Sequence, residues 1–193
     1  MKFILASSNK HKLEELKLLM PNVDIQEANM VEVDENAPTF LGNALIKAEA
    51  LYKINGNKPI LSDDSGLCVK AFDGKPGVKT ARYGSDVMGR LLDGAERNEF
   101  LLKNMETITD RDASFVCTLV AYLSPNRIYT VTEEVQGRIT KKQAGCGGFG
   151  YDPVFYIDEA GTTMAELSKE DKGKYSHRGR AAKIMNEILK SIN

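Results

Sequence analysis

Apolar residues recur along this chain with a helical period in four stretches. A leucine stripe follows the polar residues Ser7-Ser8-Asn9 and ends at Pro21, which predicts a capped helix. A second helix is predicted from a Thr39 cap to Gly56. Residues 86–105 and the last stretch of the chain show the same period, the former with a break near Asp93-Gly94.

Strand-like runs lie between these helices. We predict strands at residues 3–6, 23–25, 59–61 with a continuation at 67–69, 114–123 and 128–135. Pro125-Asn126 is the predicted turn between the last two. Asp63 and Asp64 lie between the two parts of the third run, so they are expected at or in the sheet, with their side chains on opposite faces. The alternative is that both are turn residues of a hairpin.

Composition narrows the class of protein. The chain has 193 residues, enough for a full core, and we expect a single domain over residues 1–193. Its formal net charge is −1, which argues against a nonspecific nucleic-acid or membrane-surface binder. The 3 cysteines share no close spacing, so neither a disulfide framework nor a zinc site is expected, and a cytoplasmic location fits best. No apolar run approaches the length of a membrane span.

Two polar segments of the first half are candidates for phosphate and metal chemistry. Lys10 and Lys12 lie at a strand–turn–helix junction, where backbone N–H groups and basic side chains suit a phosphate; the alternative is an ordinary capped helix with solvated lysines. Glu35 precedes the second helix, where it either compensates the helix dipole or binds a metal. Magnesium takes one or two carboxylates besides phosphate oxygens and water, and Glu35 with Asp64 would supply that number.

The second half offers two candidate nucleotide-binding segments. Residues 144–153 are rich in glycine around Phe149 and Tyr151, so this segment is either a flexible loop or a place where an aromatic ring meets a base. His177 and Arg178 are predicted in the first turn of the last helix, which is unfavourable for the helix dipole. They are either a solvated basic helix start or a site for an acceptor-rich ligand.

Taken together, the ordered motifs resemble one known family. They are Ser8-Asn9-x-x-Lys12, Glu35 with Asn43-Ala44, Ser62-Asp63-Asp64-Ser65-Gly66-Leu67, Gly148-Phe149-Gly150-Tyr151-Asp152-Pro153 and Ser176-His177-Arg178. This set resembles the Ham1/inosine triphosphate pyrophosphatase family, from the first strand to the last helix. The resemblance implies an α/β fold with a long central mixed β-sheet and flanking helices, two lobes around a nucleotide cleft, and a homodimer. It also implies a magnesium-dependent, house-cleaning hydrolase that converts inosine, deoxyinosine and xanthosine triphosphates to the monophosphate and pyrophosphate, with no nucleic-acid or membrane partner.

The resemblance also assigns roles by position. Asp64 matches the catalytic proton acceptor and a metal contact, and Glu35 matches the family's acidic metal residue. The chemistry of hydrolysis at the α-phosphorus adds a catalytic role for Lys12, which would compensate the charge of the departing pyrophosphate. The implied substrate-binding residues are Ser7, Ser8, Asn9, Lys10, His11, Lys12, Ser65, Phe149, Gly150, Tyr151, Asp152, Lys172, His177 and Arg178.

Two departures from the family pattern affect the metal site. The segment Glu35-Asn36-Ala37 stands where many members have Glu-Thr-Gly, and Gly42 stands where an acidic residue is common. If that acid helps to hold magnesium, its role is vacant here. Two rival functions also remain: a magnesium phosphatase that releases orthophosphate stepwise, and a nucleotide- or RNA-binding module without turnover.

Overall fold

The computed structural model describes residues 1–28 and 33–192, so residues 29–32 and 193 of the predicted domain lie outside the described part. Within those ranges seven strands form one sheet, in the order β2-β1-β3-β4-β5-β6-β7. The strands are β1 Lys2–Ala6, β2 Asp24–Glu27, β3 Ile60–Val69, β4 Asp112–Ser124, β5 Arg127–Ile139, β6 Phe155–Ile157 and β7 Thr162–Thr163.

The sheet is mixed, as predicted. Strand β1 pairs in parallel with both β2 and β3, with Ile4 opposite Ile60 in the latter pair. Strand β6 pairs antiparallel with β5 and with β7. Parallel pairs require long crossover connections, and the helices Lys10–Leu19 (α1) and Phe40–Ile54 (α2) lie in those connections.

Six α-helices occur in the described ranges: α1 Lys10–Leu19, α2 Phe40–Ile54, α3 Ser85–Met88, α4 Gly94–Asn104, α5 Lys169–Tyr175 and α6 His177–Ser191. Asn9 and Thr39 cap α1 and α2 as predicted, each through a side-chain oxygen that accepts backbone N–H groups. The predicted break before α4 is also present, because Asp93 and Glu96 form a capping box there. It is wider than predicted, since residues 89–93 are not helical.

The described residues divide into two compact units. Unit 1 comprises Met1–Asp64, Cys117–Glu133 and the chain from Arg178 on, whereas unit 2 comprises Ser65–Val116 and Glu134–His177. Each has an apolar core of its own: Phe3, Leu5 and Leu16 belong to one in unit 1, and Phe115, Phe155 and Leu101 to that of unit 2. Strands β3, β4 and β5 each contribute residues to both units.

Candidate functional site

The turn between β1 and α1 is built by hydrogen bonds among its own polar residues. The Asn9 side chain accepts from the backbone N–H groups of His11 and Lys12, at 3.0 and 3.4 Å, and Ser7 Oγ accepts from the Asn9 N–H. The strand–turn–helix arrangement is as predicted. The expectation of N–H groups left for a phosphate is wrong for His11 and Lys12, because the cap already uses theirs.

Asp63 and Asp64 lie within the continuous strand β3, so the hairpin-turn alternative is wrong. Consecutive strand residues point to opposite faces, and the two carboxylates accordingly have different partners. Asp63 is fully buried and Asp64 nearly so. A buried carboxylate needs a compensating charge or hydrogen bond, and each has its own set in unit 1.

Asp63 joins residues from the two ends of the chain. Its carboxylate accepts hydrogen bonds from Lys12 Nζ, from Arg178 Nε at 2.8 Å and from Cys117 Sγ at 3.3 Å. The other end of the Arg178 guanidinium donates to Glu15 Oε2 at 2.7 Å. Burial opposes ionisation, but Arg178 and Lys12 outweigh it and hold the pKa of Asp63 well below its usual range. Asp63 is therefore an ionised anchor for both basic side chains.

Asp64 belongs to a second cluster, centred on a buried lysine. Lys47 Nζ donates to Asp64 Oδ1 at 3.1 Å and to Glu35 Oε2 at 2.8 Å. Asn43 Nδ2 lies 3.4 Å from the other oxygen, Asp64 Oδ2. Burial raises the pKa of Asp64, and Lys47 only partly offsets that rise. Burial lowers the pKa of Lys47, but Asp64 and Glu35 together raise it above its usual value, so this lysine is charged.

The donor set of this second cluster suits Mg²⁺. Two carboxylate oxygens from separate chain segments converge on one cation, the Lys47 ammonium. Hard oxygen donors are what Mg²⁺ takes, in small number, when phosphate and water complete its shell. In residues 1–28 and 33–192, no group of three or more His, Cys, Asp or Glu side chains is placed to hold a metal ion. Glu35 and Asp64 thus fit a magnesium site that the protein alone leaves incomplete.

The glycine-rich segment of unit 2 has a defined hydrogen-bond pattern. Asp152 Oδ2 accepts from the Phe149 N–H at 2.8 Å and from Lys172 Nζ at 2.7 Å. The same Lys172 nitrogen lies 4.9 Å from the centre of the Phe149 ring. Gly148 has φ +70°, and an added Cβ would lie 1.9 Å from Asp152 Oδ2. This position therefore requires glycine, and the predicted residues Phe149, Asp152 and Lys172 form one cluster.

The two aromatic residues of this segment differ in their surroundings. Tyr151 is buried, with its hydroxyl donating to the Thr80 carbonyl at 3.0 Å, and desolvation raises its pKa. Gly150, between the two aromatics, accepts from the Asn98 amide through its carbonyl at 3.0 Å. Phe149 is only half-buried. Of the two rings, Phe149 is the one with surface left for a ligand.

His177 and Arg178 begin α6, as predicted, and both are buried. The His177 ring stacks on Phe115, with centroids 4.7 Å apart and planes 7° from parallel. Ser65, the first residue of unit 2, is half-buried. The alternative of a solvated basic helix start is wrong, since His177 packs on a core ring and Arg178 pairs with Asp63 and Glu15.

Several residues of these clusters received no role from the sequence. They are Lys47, Asn43, Cys117 and Phe115. A signal existed for two of them: Asn43 and Lys47 lie four residues apart on a helix whose same face carries Ala44, Ala48 and Leu51, all buried. Polar residues on an apolar helical stripe are costly unless paired, so the stripe predicts that both are paired but does not identify their partners. Strand β4 carries no comparable signal for Phe115 or Cys117.

Comparison with known proteins identifies the family of this chain. Residues 3–188 match the Ham1 family. A dITP/XTP pyrophosphatase of Treponema denticola is 42% identical over 98% of this chain and 99% of its own. One from Thermus thermophilus is also 42% identical, over 98% of this chain and 92% of its own. The chain belongs to the Ham1 family. The predicted family is thereby confirmed.

Solved structures of other Ham1-family members share the fold. The Staphylococcus aureus Ham1 protein superposes with a TM-score of 0.87 at 34% identity, covering 100% of both chains. A HAM1 protein from Coxiella burnetii gives a TM-score of 0.88 at 32% identity, covering 99% of each. The predicted α/β class is confirmed by these neighbours and by the mixed sheet. Among the residues described for this Ham1-family chain, no helix is long and apolar enough to cross a membrane.

Proposed function

We propose that this protein hydrolyses non-canonical purine nucleoside triphosphates, those of inosine, deoxyinosine and xanthosine, to the monophosphate and pyrophosphate. The observation that carries the proposal is the convergence of Glu35 and Asp64 on one cationic position in unit 1. Family membership and the printed activity of the relatives, dITP/XTP pyrophosphatase, support the same reaction. Such an enzyme sanitises the nucleotide pool, a cytoplasmic task.

The chemistry assigns distinct tasks to the residues of unit 1. Glu35 and Asp64 would hold Mg²⁺, which when bound supplies compensation for charge on the phosphates. Asp64 orients the water that attacks the α-phosphorus and accepts its proton. Lys12 compensates the negative charge that develops on the departing pyrophosphate. Asp63 does not react; it fixes the Lys12 ammonium and the Arg178 guanidinium.

Residues 7–12 would contact the phosphates. Asn9 fixes the conformation of this segment as the cap of α1, and Ser7 Oγ accepts from the backbone N–H of Asn9. The side chains of Ser8, Lys10, His11 and Lys12 are the proposed phosphate contacts. Ser65 would contact the substrate next to the reaction centre.

Base selection is assigned to residues 149–152, Lys172 and the pair His177 and Arg178. Hypoxanthine and xanthine present O6 as an acceptor, whereas adenine presents an amino donor at that position. Donors from His177 or Arg178 would be satisfied by the first two bases and left unpaired by adenine, which gives strong discrimination. The half-buried Phe149 ring would stack on the base, with Lys172 beside it.

The test is incubation with inosine triphosphate and Mg²⁺, followed by separation of pyrophosphate from orthophosphate. We expect pyrophosphate and inosine monophosphate in equal amounts, and slower turnover of ATP. Asp64→Asn should abolish turnover while nucleotide binding persists; near-normal turnover of that variant would contradict the assigned role. Release of orthophosphate would favour a stepwise phosphatase, and binding without turnover a nucleotide-binding module. We further propose a homodimer, to be tested by light scattering.

A further inference from the structure

Asn43 uses both ends of its side-chain amide inside unit 1. It lies in the first turns of α2 and is 2% exposed. Its Oδ1 accepts from the backbone N–H of Ala37 at 2.9 Å, and its Nδ2 donates to Asp64 Oδ2 at 3.4 Å. Ala37 lies two residues after Glu35. One buried amide thus connects the segment of one predicted metal ligand to the side chain of the other.

Lys47 completes this arrangement one helical turn later. Residues four apart share a helix face, so the Asn43 amide and the Lys47 ammonium point the same way from α2. Lys47 Nζ contacts Glu35 and Asp64 directly. Helix α2 therefore orients both carboxylates, with Lys47 acting on each and Asn43 acting on Asp64 and on the backbone that follows Glu35.

Packing at Gly42 fixes the Ala37 end of this connection. A Cβ added to Gly42 would lie 2.6 Å from the Ala37 Cβ and 3.1 Å from Thr39 Oγ1. The Ala37 methyl group thus takes the space that a side chain at position 42 would need. An acidic side chain at position 42 would therefore clash with Ala37 in this arrangement.

We propose that Asn43 is a positioning residue that orients Asp64 and the backbone after Glu35 for the binding of a divalent cation. The inference rests on the proposed function for the identity of the cation, Mg²⁺. Asn43 acts through Asp64 and through the Ala37 backbone. Residues that orient metal ligands typically contribute about 10- to 100-fold to metal affinity.

The test compares Asn43→Ala with a matched control, Asn55→Ala, by measuring the affinity of the nucleotide-free protein for Mn²⁺, a paramagnetic substitute for Mg²⁺. Asn55 lies at the other end of the same helix, and its side-chain amide donates one hydrogen bond to the Leu51 carbonyl at 2.9 Å. The variant Asn55→Ala loses this bond. We expect the Mn²⁺ dissociation constant to rise about tenfold in Asn43→Ala and to stay unchanged in Asn55→Ala. The Mg²⁺ concentration for half-maximal turnover should rise in parallel.

A rise of less than about threefold in the Mn²⁺ dissociation constant would overturn the inference, whatever happens to the melting temperature, because it would leave Asn43 with a purely structural role. If Asn43→Ala does not fold, Asn43→Ser replaces it, since a serine hydroxyl is too short to join Ala37 and Asp64; the same threshold applies. Failure of the wild-type protein to release pyrophosphate would refute the proposed function but leave the Mn²⁺ comparison valid, so the two failures are distinguishable.

Discussion

Replacing Asp63 with asparagine should destabilise the protein more than any exposed charge change. The substitution keeps the shape of the side chain but removes a fully buried charge that faces Arg178 Nε at 2.8 Å and Lys12 Nζ. Removal of one partner from a buried ion pair costs about 3–5 kcal/mol. Arg178 retains Glu15 at 2.7 Å, and the asparagine carbonyl can still accept one hydrogen bond. We therefore expect Asp63→Asn to lower the free energy of unfolding by about 3 kcal/mol, the lower end of that range.

Urea unfolding at pH 7 measures this loss, and a fall in melting temperature of about 6–12 °C should accompany it, at about 2–4 °C per kcal/mol for a chain of this size. The matched control is Asp158→Asn, which breaks a surface ion pair with Arg138 and should cost less than about 1 kcal/mol. A loss in Asp63→Asn no larger than that of the control would refute the claim that Asp63 anchors the two basic side chains.

Two further outcomes follow from the same contacts. Folding lowers the pKa of Asp63, so the contribution of this carboxylate to the stability of the protein is complete above its unfolded pKa of about 4 and is lost as the pH falls below that value. The difference in unfolding free energy between wild type and Asp63→Asn should therefore shrink from pH 7 to pH 3. A difference that stays constant over this range would contradict the prediction. Gly148→Ala should raise KM for inosine triphosphate well above the KM of Gly150→Ala. Both glycines have positive φ, but only at Gly148 would an added Cβ meet Asp152. Equal KM values for the two variants would mean that backbone strain alone matters.

Most of the helices and strands were predictable from the sequence because they depend on local patterns. The Asn9 and Thr39 caps, the turn at 125–126 and the strand around Asp63-Asp64 all follow from residue types at short spacing. The difference between the two carboxylates also follows, since alternation along a strand separates their faces.

The partners of those carboxylates were not predictable, because they come from distant segments. Arg178 is 115 residues from Asp63 along the chain, and no local pattern predicts that pairing. The sequence predicts no ion pair for Lys47, because a lysine on a helix is usually solvated. In the structure Lys47 is buried and contacts both Glu35 and Asp64. The cap at Asn9 is the converse case: residue types predict the cap, but only the folded structure shows that it uses the N–H groups of His11 and Lys12.

The central claim is that water attacks the α-phosphorus of a non-canonical purine nucleoside triphosphate. Hydrolysis of inosine triphosphate with Mg²⁺ in ¹⁸O-labelled water, followed by mass spectrometry of both products, tests it most directly. The account predicts that the label enters inosine monophosphate, that pyrophosphate is unlabelled, and that Asp64→Asn forms neither product. Label in pyrophosphate, or release of labelled orthophosphate, would contradict it.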